Sequence, residues 1–324
     1  MLSHSRGGRV FQYVIVLVVA ISLNFFLPRV MPGNPLALLA GADVGLLTPD
    51  QQAEVMAAAG LDRSLAEQYI AYWGNLLRGD LGYSYRQRAP IIDLIKARLP
   101  WTLLLAGSAM IVSTLVGVAA GAFSAWRRAS KSDVSLLWTM IMINSLPSFW
   151  LGMLLISLVS VRLGWLPSFG AQTPAARLQG FEQIVDIARH AILPVITLTV
   201  LTIPGVYLTM RYTMLSVLGA DFIRTARAKG AGETRVLIVH AMRNSLAPVV
   251  TVLALRMGFA FGGTVVVETV FSYPGLGRLI FIAVGGRDYP VMQATFLLFT
   301  VAVLFFNLIA DFMYQFIDPR TRTT

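Results

Sequence analysis

Residues 101–125 read WTLLLAGSAMIVSTLVGVAAGAFSA, without one Asp, Glu, Lys or Arg. Coiled as an α-helix, such a run is about 37 Å long, enough to cross the ~30 Å hydrocarbon core of a bilayer. In lipid the backbone must satisfy its own hydrogen bonds, which leaves a helix as the form open to an isolated apolar run. The stretch also carries Gly117-xxx-Gly121, a spacing that lets two helices approach backbone to backbone.

The rest of the chain repeats this pattern. Its 324 residues are 56% hydrophobic and 13% charged, too apolar for a soluble domain to hide in one core. Five more segments match the length of a span: 10–27, 134–161, 191–210, 245–267 and 290–310. Across all six the only charged residue is Arg256. The sequence therefore predicts an all-α polytopic membrane protein, six transmembrane helices in one domain over 1–324. Arg6 and Arg9 precede the first run, but that run is too long for a signal peptide and no small-residue cleavage site follows, so it is expected to be kept as a span. The chain has no cysteine, which removes disulfides and thiolate metal sites.

Charge sets the expected orientation, because Lys and Arg resist translocation. With the N-terminus inside, segments 1–9, 126–133, 211–244 and 311–324 hold 13 Lys and Arg and five acids. The outside segments 28–100, 162–190 and 268–289 are about twice as long together and hold 12 and 11. Both termini are expected in the cytoplasm. The net charge of +10 is then a signature of topology, not of nucleic-acid binding.

The outer segment 31–100 is patterned as folded protein. Thr48-Pro49-Asp50-Gln51 is a capping box with Pro at the first helical position, its helix closing at Gly60. Ser64 to Glu67 repeats the box ahead of a stripe of Leu65, Tyr69, Tyr72, Trp73, Leu76 and Leu77. A third amphipathic stretch, 90–99, feeds Pro100 and the second span. Within the spans, Pro194 and Pro204 are expected to kink the fourth. Arg256 would cost about 2.5–3.5 kcal/mol at mid-bilayer, so it should face the bundle interior or an aqueous cavity. That makes Arg256 the best single-residue candidate for a translocation path, with Asn144 as a second lining residue, while a structural pairing of the Arg with Asn144 or with a backbone carbonyl would account for it equally.

No motif for covalent chemistry is present. There is no phosphate-binding G-x-x-x-x-G-K-[ST] and no H-E-x-x-H, and His4, His190 and His240 are scattered. Any energy source must be a transmembrane gradient or another protein. A gradient-driven carrier acting without an ATPase would carry ionisable groups within its spans, and one Arg with no acid counts against it.

Between spans four and five, segment 216–245 gathers Arg224, Arg227, Lys229, Arg235 and Arg243. Asp221 reads as an N-cap, 222–229 as two helical turns, and Gly230 as the left-handed residue that ends them. A second helix restarts near Glu233 or Thr234 and runs toward Pro248. An amphipathic linker lying on anionic headgroups would account for the same composition.

Here the residues carry a resemblance. Asp221-Phe-Ile-Arg-Thr-Ala-Arg-Ala-Lys-Gly230 with His240-Ala-Met-Arg-Asn-Ser-Leu-Ala-Pro248 resembles the EAA loop of ABC importer permeases, in the form of the dipeptide/oligopeptide/nickel family. Arg224 and Thr225 stand where the general pattern has Glu and Ala. Gly79-Asp-Leu-Gly-Tyr-Ser84, Arg98-Leu-Pro-Trp-Thr102, Pro147-Ser-Phe-Trp-Leu-Gly152 and Leu163-Gly-Trp-Leu-Pro167 are similar to that family's B-type subunit. So are Glu268-Thr-Val-Phe-Ser-Tyr-Pro-Gly-Leu-Gly277, Arg287-Asp-Tyr-Pro290 and Asp318-Pro-Arg320.

The resemblance implies a type I importer permease in a bacterial inner membrane. Its partners would be a C-type second permease subunit, two cytoplasmic ATPase subunits and an extracytoplasmic binding protein. ATP and magnesium would be bound by the ATPases, with no cofactor in this chain, and the cargo would be di- or oligopeptides, or else nickel or another small solute. It places the ATPase contact at Asp221, Arg224, Thr225, Ala226, Lys229, Gly230 and Glu233, on a coupling helix.

Overall fold

The computed structural model describes residues 6–30, 48–58, 62–84, 86–286 and 288–317. Gly60, Arg287 and the closing Asp318-Pro-Arg320 lie outside them. α1 spans Arg6–Val30. α2 (Pro49–Ala58) begins at a reciprocal pair in which Thr48 N donates to Gln51 Oε1 (3.0 Å) and Gln51 N to Thr48 Oγ1 (3.4 Å). α3 (Leu65–Leu77) opens on a complete capping box: Glu67 N donates to Ser64 Oγ at 3.3 Å and Ser64 N to Glu67 Oε2 at 2.9 Å. Both helix starts thus follow the local rule read from sequence.

After a two-residue antiparallel pair, β1 (Tyr83–Ser84) with β2 (Ala89–Pro90), comes α4 (Ile91–Trp126). The expected separation between an amphipathic stretch and a span beginning at 101 does not occur. One 36-residue helix runs through Pro100. Proline removes its own N–H and strains one turn, a local loss offset by the buried face of Ile91 and Ile95 before it and the apolar run after it.

The third expected span is divided. α5 (Lys131–Asn144) and α6 (Ser148–Leu155), which continues as a π-helical turn over Ile156–Arg162, meet at 97°. Pro147 is the cause: with φ −66° and ψ 135° it caps α6, and it disfavours a helical Leu146. α7 (Phe181–Leu218) holds Pro194 and Pro204 inside 38 unbroken residues. Then follow α8 (Asp221–Ala228), α9 (Glu233–Arg235) with a π-helical turn over Val236–Met242, α10 (Arg243–Val270), α11 (Leu276–Gly285) and α12 (Tyr289–Ile317). Five of the six expected segments lie within single helices, and 134–161 is shared between α5 and α6 with its π-helical turn. Among the described residues three helices are long and apolar enough to cross a membrane, and up to five spans result if each bent pair counts as one.

The chain packs as two compact units. The first comprises 1–100 and 274–304. Phe25 is fully buried between the rings of Tyr69 and Tyr72, at 5.1 and 5.4 Å, with the Arg29 guanidinium 3.6 Å above it. Asn24 and Gln293 exchange amide-to-carbonyl bonds of 2.6 and 2.9 Å, fixing α1 to α12. Ser84 donates to buried Asp288 at 2.5 Å, joining the Gly79–Ser84 motif to the Asp288–Pro290 motif 204 residues away.

The second unit comprises 101–273 and 305–324. A Cβ on Gly117 would stand 2.8 Å from Val206 Cβ, and one on Gly121 would stand 2.6 Å from the Tyr207 carbonyl oxygen. α4 and α7 therefore touch at their backbones, as the glycine spacing predicts. Buried Glu268 accepts from Thr102 at 2.8 Å, so the Arg98–Thr102 and Glu268–Gly277 stretches meet as one polar pair. Trp101 lies edge-on to buried Tyr273, ring centroids 5.9 Å apart.

Candidate functional site

The segment between α7 and α10 belongs to the second unit. A short turn, Gly219 N to Ser216 O (3.2 Å) and Ala220 N to Val217 O (3.0 Å), leads out of α7. The N-cap of α8 is Ala220, whose extended backbone (φ −75°, ψ 149°) brings no side-chain bond. Asp221, expected as the cap, is instead the first helical residue. Extended backbone at Ala220 starts the helix one position early, and the Asp221 carboxylate still lies at the positive end of the helix dipole. It sits 3.6 Å from Arg224, both side chains exposed, which makes a weak pair.

The far end of α8 is strongly specified. Gly230 has φ +81°; its N–H donates to Arg227 O at 2.9 Å and Ala231 N–H to Ala226 O at 3.1 Å. These are the two bonds of a Schellman motif. Arg227 then grips Glu233 through both arms of its guanidinium, Nε to Oε1 at 3.0 Å and Nη2 to Oε2 at 3.2 Å. That fork spans the turn and fixes where α9 restarts. Of the residues singled out from sequence, Asp221, Arg224, Thr225, Lys229, Gly230 and Glu233 are exposed and Ala226 is half-buried. The six exposed residues make α8 and the turn after it an open surface of this chain.

What seats this surface is a residue the sequence reading passed over. Ile223 is fully buried, in one cluster with Ala122 and Ala125 of α4, Met210 and Met214 of α7, and Val236 and Ala241 of the π-helical turn. A single Ile among charged neighbours in an eight-residue helix makes no periodic apolar signal.

Beside that cluster lies a second unforeseen arrangement. Asp133 of α5 receives Arg211 of α7 in a fork, Nε to Oδ1 at 2.8 Å and Nη2 to Oδ2 at 2.9 Å. Ala129 N donates to Oδ2 at 3.0 Å, Ser124 Oγ donates to Oδ1, and Ser124 also bonds Tyr207 at 2.6 Å. The ends of α4, α5 and α7 are thereby keyed together around one buried carboxylate. Hydrogen bonds from Arg211 above all, aided by Ser124 and Ala129 N–H, outweigh burial and hold the Asp133 carboxyl well below the usual range.

Arg256 and Asn144 are not brought together. Asn144 is exposed at the C-terminus of α5. The Arg256 guanidinium lies instead on Gly205 of α7, where an added Cβ would stand 2.0 Å from Nη2 and 2.5 Å from Cζ.

A helical membrane protein with a short, locked, outward-presented helix between two long apolar ones is the class these features define. Residues 117–323 match the family model described as binding-protein-dependent transport system inner membrane component, and 7–106 match its N-terminal companion. The chain belongs to this family of inner membrane transport components. It is 38% identical to the oligopeptide transport system permease protein AppB of Bacillus subtilis over 313 residues, 96% of this chain and 97% of that protein. It is 38% identical to the dipeptide transport system permease protein DppB of Escherichia coli over 93% of each chain. It is 39% identical to the glutathione transport system permease protein GsiC of Escherichia coli over 97% of each. The fold is similar to a chain of an inward-facing MetNI methionine ABC transporter, with TM-score 0.57 and 16% identity over 70% of this chain and 97% of that one.

Proposed function

We propose that this chain is one of two membrane subunits of an ATP-driven peptide importer and that 221–233 is its coupling helix and turn. A binding protein delivers short peptides to the outer face, and two cytoplasmic ATPase subunits bind ATP and magnesium. Their closure pushes α8, with both termini of this chain on the same side. The permeases AppB, DppB and GsiC are named for oligopeptides, dipeptides and glutathione, all short peptides, which supports that cargo class over nickel.

One observation carries the coupling reading. α8 is held at one end by the Gly230 turn and the Arg227–Glu233 fork, and underneath by Ile223. A helix so fixed can pass displacement to α4 and α7 without bending, whereas a linker resting on headgroups needs none of these constraints. Exposed charges on its outer side set register against a partner.

The absence of native cysteine gives a direct test. Thr225→Cys in the assembled complex should cross-link to single cysteines in a surface groove of the ATPase, with yield changing between ATP-bound and nucleotide-free states. Labelling of Thr225→Cys by lipid-phase reagents, with no ATPase adduct in either state, would contradict the reading.

A further inference from the structure

Arg256 is the one charged residue within the predicted spans, and its surroundings are unusual for a structural arginine. A guanidinium carries five N–H donors and no acceptor. Among the described residues Arg256 makes no hydrogen bond or ion pair. The groups nearest along α7 are already engaged: Thr209 Oγ1 donates to the Gly205 carbonyl at 2.8 Å and Thr202 Oγ1 to the Leu198 carbonyl at 2.7 Å. What α7 offers is a bare backbone face at Gly205, on which the guanidinium rests closer than any side chain would permit. Arg256 itself remains partly exposed. The cation is therefore positioned but not neutralised.

We infer that Arg256, seated on Gly205, is a transient binding site for the carboxylate of the transported peptide on the translocation path. The inference rests on the peptide-importer reading. A planar fork of donors matches a carboxylate bidentately, and every short peptide with a free C-terminus carries one. An uncompensated cation at mid-span also lowers the barrier to moving an anion through a low-dielectric passage. A neutral side chain there is less costly to insert than Arg, so retaining the charge needs a use. One site of modest strength suits a path, which must release what it binds.

The test uses the complete complex in nanodiscs and in proteoliposomes. Equilibrium binding of labelled trialanine, without the binding protein, should exceed that of trialanine amide by about tenfold in the wild type. Arg256→Gln should erase that preference and Arg256→Lys should keep most of it. In proteoliposomes, Arg256→Gln should lower peptide uptake per ATP about tenfold while ATP hydrolysis stimulated by the loaded binding protein is retained.

Equal binding of acid and amide by the wild type, or an unchanged preference in Arg256→Gln, would overturn the inference. So would loss of stimulated ATP hydrolysis in step with uptake, since Arg256 would then be an assembly contact with the second subunit. These failures are distinct from failure of the importer reading, in which the wild-type complex itself would move no peptide.

Discussion

Gly230→Val is expected to reduce ATP-driven uptake at least tenfold, about 1.4 kcal/mol or more in coupling, with the chain still present in the membrane. No atom lies within 4 Å of where its Cβ would be, so the substitution meets no clash. Its cost is conformational: φ +81° is unfavourable by about 1–2 kcal/mol for an L-residue and worst for a β-branched one. That cost falls on an exposed turn, so α8 loses its Schellman bonds and the Arg227–Glu233 register while the helices behind it stay packed. A graded series separates backbone strain from lost side-chain contacts. Asn tolerates the left-handed region, so Gly230→Asn should stay near wild type, Gly230→Ala should fall between, and Gly230→Val should be lowest. Uptake in proteoliposomes at matched protein levels checks the order, and equal uptake across the series would remove the turn from the mechanism.

The second large effect is expected at Asp133→Asn. Removing one partner of a buried ion pair strands the other charge, with costs of about 3–5 kcal/mol; Arg211 keeps a little solvent contact, which points to the lower end. Arg211→Gln in the same chain should recover part of the loss by removing the stranded cation. The pH dependence has a definite sign. A carboxyl held low in the folded state contributes stability fully above its unfolded pKa, near 4. That contribution disappears as pH falls through the lower folded value. The difference in denaturation midpoint between wild type and Asp133→Asn should stay constant from about pH 5 to 9 and narrow only below about pH 4. A difference that narrowed near pH 7 would contradict the assignment of an ionised, Arg-bound Asp133.

Local chemistry was legible in the sequence, and contacts across long separations were not. Ser64 with Glu67 announces a capping box because both partners lie within one turn, and Gly230 announces a helix end for the same reason. Asp221 went wrong by one residue because a side chain able to cap does so only if the preceding backbone leaves it that role. The bend at Pro147 was masked by the apolarity of 134–161, which hides a break when composition alone is weighed. Asp133 and Arg211, 78 residues apart, read as two topological charges, and nothing local to either marks a fork. Nothing in the sequence marks Gly205 beside Pro204, since its value lies in what it admits from α10. The motifs that carry the family resemblance are partly structural: Ser84 with Asp288 and Thr102 with Glu268 are pairings that only the fold reveals.

The central claim is that transport by this chain is driven through α8 by separate ATPases. Reconstituting it with a second permease subunit, the ATPase subunits and a peptide-loaded binding protein tests that claim most directly. Loaded binding protein should raise ATP hydrolysis several-fold, and peptide should accumulate only when ATP and all subunits are present. Peptide accumulation driven by an ion gradient, with the ATPase subunits left out, would contradict it.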